Sequence, residues 1–518
     1  MTNITRKTAI MILIIFVLIG LSGTLIYRLS SSQKAKTDQK TQAVKVELIE
    51  SSLPKTSDIA LATDSRSQTL LAQLYEGLYV FTSGTSVRRG LAQDMSVSKD
   101  RLTYTIQLKQ TKNAQGQPIT AQDFVNSFRR VAANKTNSPY GFLFEVFENG
   151  RAVNDGKMKP ERLGVEAKGR DQLIIKLNQP VSNLKELLAM SVFYPQPESK
   201  KWQDLTGNGA FTLERMSKSG YTLKKNNQYH QQNVVTVGEV KSRIISDHQT
   251  QWSSYEESKA AILPLQESVE TQENQVSRPT YQKKRSGVFY IAFNQKNEAF
   301  REAILRKRIA QALLEKESVQ LPLGYAGIPT NRFVVTDRNV LMTEPIQVKQ
   351  EKIKEQKKQR IEMLNFEDPQ AKRIGQQIET YLERQLPDID IVLKPVAIEE
   401  KIDKEQSAQY AMTLTGWMPD YPGPLAYLNQ FVSDNPLNSV NYRSDTYDAI
   451  IEKARQTRDM KKKQALYHQA ERRLTKQDAV VVPLYQTTEK LYVSDTIQGI
   501  EVPIYGPEYL LRAMKILK

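Results

Sequence analysis

Residues 9–27 carry no charge over nineteen positions, and they are bracketed by Arg6 and Lys7 on one side and Arg28 on the other. A segment this apolar cannot lie on the surface of a water-soluble domain, so it limits what the chain can fold into. The apolar core of a cleavable secretory leader runs ~7–15 residues, whereas a bilayer-spanning helix takes ~17–25. The length fits a spanning helix, and the basic residues ahead of it favour a cytoplasmic N-terminus. Residues 1–28 are therefore expected to form a signal-anchor, a single transmembrane helix with everything after it outside the cell. The competing expectation is cleavage after a small residue such as Gly23, which would release the protein.

Leu21-Ser22-Gly23-Thr24 follows the frame of a bacterial lipoprotein signal, which ends in a cysteine that takes the lipid. Thr24 stands in that place, and the chain has no cysteine at all. No thiol is present to be acylated or to form a disulfide. Residues 29–52 are polar, without a strong period, and are expected to form a flexible linker. The remainder is long enough for about two to four domains of ~100–200 residues. A chain of that size buries a core without disulfide help, even in an oxidising compartment.

The formal net charge is +16. Basic residues are mixed with acids along the chain, as between Lys349 and Glu362, and no zinc spacing, phosphate loop or aromatic RNA-binding motif accompanies them. The short run Lys461-Lys462-Lys463 stands at a helix start. This pattern argues against nucleic acid as a partner and for a solvated surface facing anionic lipid or cell-wall polymer.

Leu102-Thr103-Tyr104-Thr105-Ile106-Gln107-Leu108 alternates like a half-buried strand. After a turn, Thr120 and Asp123 suit the start of a helix that sets Phe124 and Phe128 on one face. Further strands are expected at 173–177, 210–213, 221–223, 288–293, 391–398 and 480–485. Phe300, Ala303, Ile304, Ala310 and Leu313 stripe one helix. Tyr447, Ile450, Ile451 and Ala454 stripe another, capped by Ser444 or Asp445, and Leu466, Ala470 and Leu474 a third. Residues 343–359 read as an exposed helix or a linker. Strands and helices alternate throughout, so the class is α/β, or mixed α+β, with several domains.

Nothing in the chain points to catalysis. The three histidines, His230, His248 and His468, form no His-Glu-x-x-His pattern and read as surface or structural residues. No Gly-x-Ser-x-Gly elbow is present. A glycosidase-type carboxylate pair leaves no local motif, and nothing in the sequence argues for one. A catalytic centre, a metal site and a cofactor are all expected to be absent.

Eight fragments in order carry a resemblance: Leu74-Tyr75-Glu76-Gly77-Leu78, Arg89-Gly90-Leu91-Ala92, Leu102-Thr103-Tyr104-Thr105-Ile106, Pro118 through Ser127, Ser138-Pro139-Tyr140, Asn208-Gly209-Ala210-Phe211, Gly416-Trp417-Met418-Pro419-Asp420-Tyr421-Pro422 and Val482-Pro483-Leu484-Tyr485. From about Asp58 to the C-terminus, the chain resembles the oligopeptide-binding proteins of ABC importers, solute-binding family five. The resemblance implies a periplasmic-binding-protein-like type II fold, with two lobes, a hinge and an extra domain inserted in the first lobe. Lobe one would take 53–66, 173–285 and 486–518, the inserted domain 67–172, and lobe two 286–485. Hinge strands would cross near Arg285 and Tyr485.

The resemblance also implies an extended peptide held between the lobes by main-chain pairing. Asp420 would bind its α-amino group. Trp417 and Tyr485 would line the same site, and Tyr140 would stand beside the ligand from the inserted domain. The protein would be a monomer that delivers oligopeptides to ABC permease subunits, held at a Gram-positive cell surface through its N-terminal helix. A dedicated pheromone receptor, or a scaffold or chaperone that keeps the fold, are alternatives; a cell-surface hydrolase is the rival of a different class. The chain departs from the family at the absent cysteine, at Ile398-Glu399-Glu400, where a tryptophan is usual, and at 257–262, where Gly-Glu-Ile-Asp is usual.

Overall fold

The computed structural model describes residues 45–83, 86–181, 183–196, 198, 201–258, 260–265, 280–314, 327–335, 342–347, 358–419, 421–457 and 459–517. The expected membrane helix and most of the expected linker lie outside these. Among the described residues, no helix is long and apolar enough to cross a membrane.

The end of the expected linker is a core strand. β1 (Lys45–Glu50) buries Val46, Leu48 and Ile49 and pairs in parallel with strands roughly 190 and 210 residues away. Pairing on both sides satisfies its backbone, which outweighs the polar flank that made it read as tether. Helix α1 (Ser65–Leu74) follows, with the Asp64 carboxylate accepting from the Ser67 backbone N–H at 2.8 Å. Leu70, Leu71 and Leu74 pack with Val46, Leu48 and Phe211. α1 thus shares a core with β1 and not with the segment it was grouped with from sequence.

A four-stranded antiparallel sheet comes next, from β2 (Ala92–Val97), β3 (Thr103–Leu108), β4 (Val165–Lys168) and β5 (Gln172–Lys176), in the order β2-β3-β5-β4. Helix α2 (Ala121–Ala132) covers it. The Thr120 backbone N–H donates to Asp123 at 2.7 Å, closing the helix start. Phe124 and Phe128 are fully buried and meet edge to face at 6.1 Å, as their spacing predicted. β5 pairs with β3, so the boundary expected after 172 falls inside a strand of this sheet.

Among the described residues, the main sheet has eleven strands. Beside β1 it uses β6 (Phe211–Ser217), β7 (Gly220–Lys225), β8 (Glu239–Ile244), β9 (Ala261–Leu265), β10 (Thr280–Phe293), β11 (Gly327–Pro329), β12 (Gln359–Phe366), β13 (Ile389–Val396), β14 (Met412–Trp417) and β15 (Val481–Val493). The path is β6-β7-β8-β1-β9-β15-β10-β14-β12-β13, with β11 on β15. β10 and β15 are twice as long as their apolar stretches suggested. The two pair with each other; at one end β15 also pairs with β9, and at the other β10 pairs with β14.

Helices α3 (Ala303–Leu314) and α4 (Pro369–Gln385) pack with Ile291, Phe293, Met363 and Met412 on one face of the β14 half. On the other face, α6 (Asp445–Gln456) and α7 (Met460–Arg472) pack with Val288, Tyr290 and Val481. Between these pairs in the chain, helix α5 (Ile398–Gln406) follows β13. Residue 398, read as a strand end, instead opens α5 and is exposed. The cap of α6 is Ser444, whose hydroxyl accepts from the Tyr447 N–H at 3.3 Å. Ile304 is exposed, off the stripe assigned to it, while Ile309 takes the buried face. Residues 343–347 are irregular.

Three of the eight sequence fragments converge in one knot. The Gly209 N–H donates to the Leu74 carbonyl at 2.8 Å, and the Asn208 side chain donates to the Glu76 carbonyl at 2.9 Å. The Leu91 N–H donates to the Gly77 carbonyl at 2.9 Å. The chains approach so closely that a Cβ on Gly90 would stand 2.4 Å from the Gly77 oxygen, and one on Gly209 2.5 Å from the Gln73 oxygen.

Candidate functional site

The long strands β10 and β15 break register between Lys284 and Val288, opposite Thr488 and Gln486. The parallel strands on either side point their carboxyl ends at this break. In one half, β9 runs antiparallel to β15 with Leu265 opposite Lys490, and β1 and β8 run with it, ending at Glu50 and Ile244. In the other half, Trp417 at the end of β14 lies opposite Val288, and β12 and β13 run parallel to β14, ending at Phe366 and Val396. Ligands of open α/β sheets bind outside the carboxyl ends of strands. Here two such sets of ends face each other across one break.

Side-chain bonds hold the break from both strands. The Arg285 guanidinium donates to the Pro503 carbonyl at 2.7 Å, the Gln486 amide to the Arg285 carbonyl at 2.9 Å, and the Tyr427 hydroxyl to the Ser286 carbonyl at 2.6 Å. Gln486 Oε1 and Thr487 Oγ1 are buried without a hydrogen-bond partner among the described residues. Polar pairing is incomplete there, which is uncommon for buried groups.

Trp417 is half-buried at the carboxyl end of β14, and its indole N–H donates to the Ala426 carbonyl at 2.8 Å. Tyr485 lies just past the break, 3 % exposed, stacked on Phe289 at 5.0 Å. Asp420 lies outside the described residues. Tyr140 is also 3 % exposed, and its hydroxyl accepts from the Gln68 amide at 3.0 Å. The structure thus turns Tyr140 inward onto α1. Its neighbour Phe142 faces the motif loop instead, meeting Tyr421 edge to face at 5.5 Å. Asn183 adds a hydrogen bond to the Pro422 carbonyl at 2.5 Å. The structure therefore reaches the Gly416–Pro422 stretch from Phe142 and Asn183, which sequence reading did not single out.

A cavity of about 590 Å³ opens beside this contact, between the four-stranded-sheet body and helices α6 and α7. Its wall includes Phe142, Val146, Tyr421, Pro424, Lys463 and Tyr467. The volume is that of a small-ligand site, ~300–1,000 Å³. No group of residues suited to hold a metal ion occurs among the described residues. His230 bonds Glu76 and His468 lies beside Arg332, so both are in structural contacts.

The sequence profile of the bacterial extracellular solute-binding proteins, family 5 Middle, matches residues 86–439. The chain belongs to this family. Curated relatives include the dipeptide-binding protein DppE of Bacillus subtilis, 24 % identical, with 93 % of this chain and 95 % of DppE covered. Among solved structures, the unliganded open form of the periplasmic murein tripeptide-binding protein MppA matches with a TM-score of 0.76 at 23 % identity, covering 92 % of this chain and 98 % of MppA. Peptide-bound OppA of Listeria monocytogenes matches with a TM-score of 0.70 at 24 % identity, covering 92 % and 100 %. These likenesses cover 92 % of the chain and share its fold.

Proposed function

We propose that the protein captures oligopeptides outside the cell, between two lobes, and delivers them to an ABC importer. The observation that carries this is the pair of opposed carboxyl ends across the β10/β15 break. The relatives named above support the ligand class: one is named for dipeptides, one for a murein tripeptide, and one is solved with peptide bound. In this reading the first lobe takes 45–75, the chain from about 194 to 284, and 488–517. The inserted domain takes about 76–193 and the second lobe 288–486. Residues 285–287 and 487 form the hinge. The peptide lies extended across the carboxyl ends with its backbone paired, so side-chain identity matters little. Asp420 takes its α-amino group and Trp417 lines that end. The protein acts as a monomer and as a binding protein, not an enzyme.

A ligand closes two lobes only if it contacts both, because it shifts an equilibrium by its differential affinity for the two states. Protein incubated with a mixed peptide pool, washed and analysed by mass spectrometry, should retain peptides. Small-angle scattering should show the radius of gyration falling when a retained peptide is added. Empty eluates would remove the function; tight binding without compaction would remove the closure.

The same reading places the protein at the outer face of the cell membrane, held by residues 9–27. Thr24 cannot be acylated through a thiol. The full-length protein should therefore sediment with membranes and carry no labelled fatty acid. A soluble main species beginning near Thr24 would show cleavage instead.

A further inference from the structure

Helix α7 opens with three lysines, at the end whose partial positive charge disfavours cations. Lys461 and Lys462 are exposed, where water screens them. Lys463 is not: it is 7 % exposed and stands in the cavity wall. Its ammonium donates to the Pro180 carbonyl at 3.4 Å, a long contact. Burial pushes its pKa down, and among the described residues no neighbouring charge offsets this, although Glu145 and Glu452 stand in the same cavity wall. The nearby cation Arg455 already has partners, the Glu452 carboxylate at 3.3 Å and the Asn429 side-chain oxygen. A buried ammonium without a counter-ion costs stability, and its place in the first turn of α7 adds to that cost. An anion entering the cavity would relieve both.

We propose that this cavity is a subsite for a carboxylate of the bound peptide, with Lys463 as the counter-ion and Phe142, Tyr421 and Tyr467 as apolar walls. This rests on the reading of the protein as a peptide binder. A carboxylate on an ammonium in a partly dry site is a charge-assisted hydrogen bond. The carboxylate is either the peptide's C-terminus or an acidic side chain, and the two are distinguishable.

The full chain and its Lys463→Met variant, which keeps the aliphatic stem and removes the charge, are each incubated with four pools of synthetic pentapeptides. The pools carry a free or amidated C-terminus, each with or without one glutamate, and retained peptide is quantified by mass spectrometry. The unsubstituted protein should enrich carboxylate-bearing peptides about tenfold over the amidated, glutamate-free pool. Lys463→Met should lose that preference, retain the neutral pool as well as the parent, and melt no lower than the parent. Preference that follows amidation identifies the C-terminus as the source; preference that follows glutamate identifies the side chain. Equal retention of all four pools by the parent, or an unchanged preference in the variant, overturns the subsite and leaves peptide binding intact. A variant that melts well below the parent overturns it too, since Lys463 would then be structural. Retention of no pool by the parent overturns the peptide reading and the subsite with it.

Discussion

Replacing Glu76 with alanine should lower the free energy of unfolding by ~3–5 kcal/mol, the usual cost of breaking a buried charged pair from one side. Glu76 is 4 % exposed. Its carboxylate accepts from the Tyr229 hydroxyl, from His230 Nε2 at 2.9 Å and from the Arg88 guanidinium at 3.3 Å. Alanine takes the carboxylate acceptor from the buried Tyr229 hydroxyl, the half-buried His230 ring and the half-buried Arg88 guanidinium. Burial alone would raise the pKa of this carboxyl; the His230 hydrogen bond, the Arg88 charge and the Tyr229 hydroxyl outweigh it and hold it at about 2, against an ordinary 4.5. A folded-state pKa below the unfolded one means stability that is fully present above pH 4.5 and lost as pH falls from there toward about 2. The size is on the order of 3 kcal/mol. Denaturant titrations at neutral pH should therefore separate the parent from Glu76→Ala, and the gap should narrow as the titration pH is lowered through that window. A constant gap down to pH 2.5 or so would show that Glu76 is not the titrating group.

Replacing Asp420 with asparagine should weaken peptide binding by roughly ten- to hundredfold, or ~1.4–3 kcal/mol. Asparagine keeps the shape and removes the charge that would meet the peptide's α-ammonium. The loss is expected below the full cost of a broken buried pair, because a peptide cleft admits water. Calorimetry with a peptide retained from the pool provides the measurement, and N-acetylation provides the control. Acetylated peptide should bind the parent about as poorly as free peptide binds the variant. If acetylation leaves the parent's affinity unchanged, the amino-terminus is read elsewhere. Lys463→Met and Asp420→Asn test opposite charges of the ligand, so their effects should be separable in one peptide series.

Several features were legible because their causes are local. The Thr120–Asp123 start of α2, the Phe124/Phe128 face and the Ser444 cap of α6 each depend on residues within one or two helical turns. The apolar parts of β10 and β15 read as strands because Val288, Ile291, Val481 and Val482 are buried on both faces of the sheet. Their other ends did not read so, because Thr280-Tyr281-Gln282-Lys283-Lys284 carries no such run and is a strand only by pairing with residues about 200 positions later. β1 was missed for the same reason. Tyr140 was named only through the family resemblance; in the structure its hydroxyl accepts from Gln68, a contact no local pattern announces.

By itself the sequence determined the mixed α/β class, the family, and the fragments that meet around Glu76. Tertiary structure alone decided what those fragments do: Gly90 and Gly209 are backbone contacts, Asn208 holds the Glu76 backbone while His230 bonds its carboxylate, and Lys463 is buried although its two neighbours are not. The physical reason is range. Caps and periodic faces are fixed by neighbours a few residues apart, whereas strand register, the break in β10 and the burial of one lysine among three depend on which distant segments close upon them.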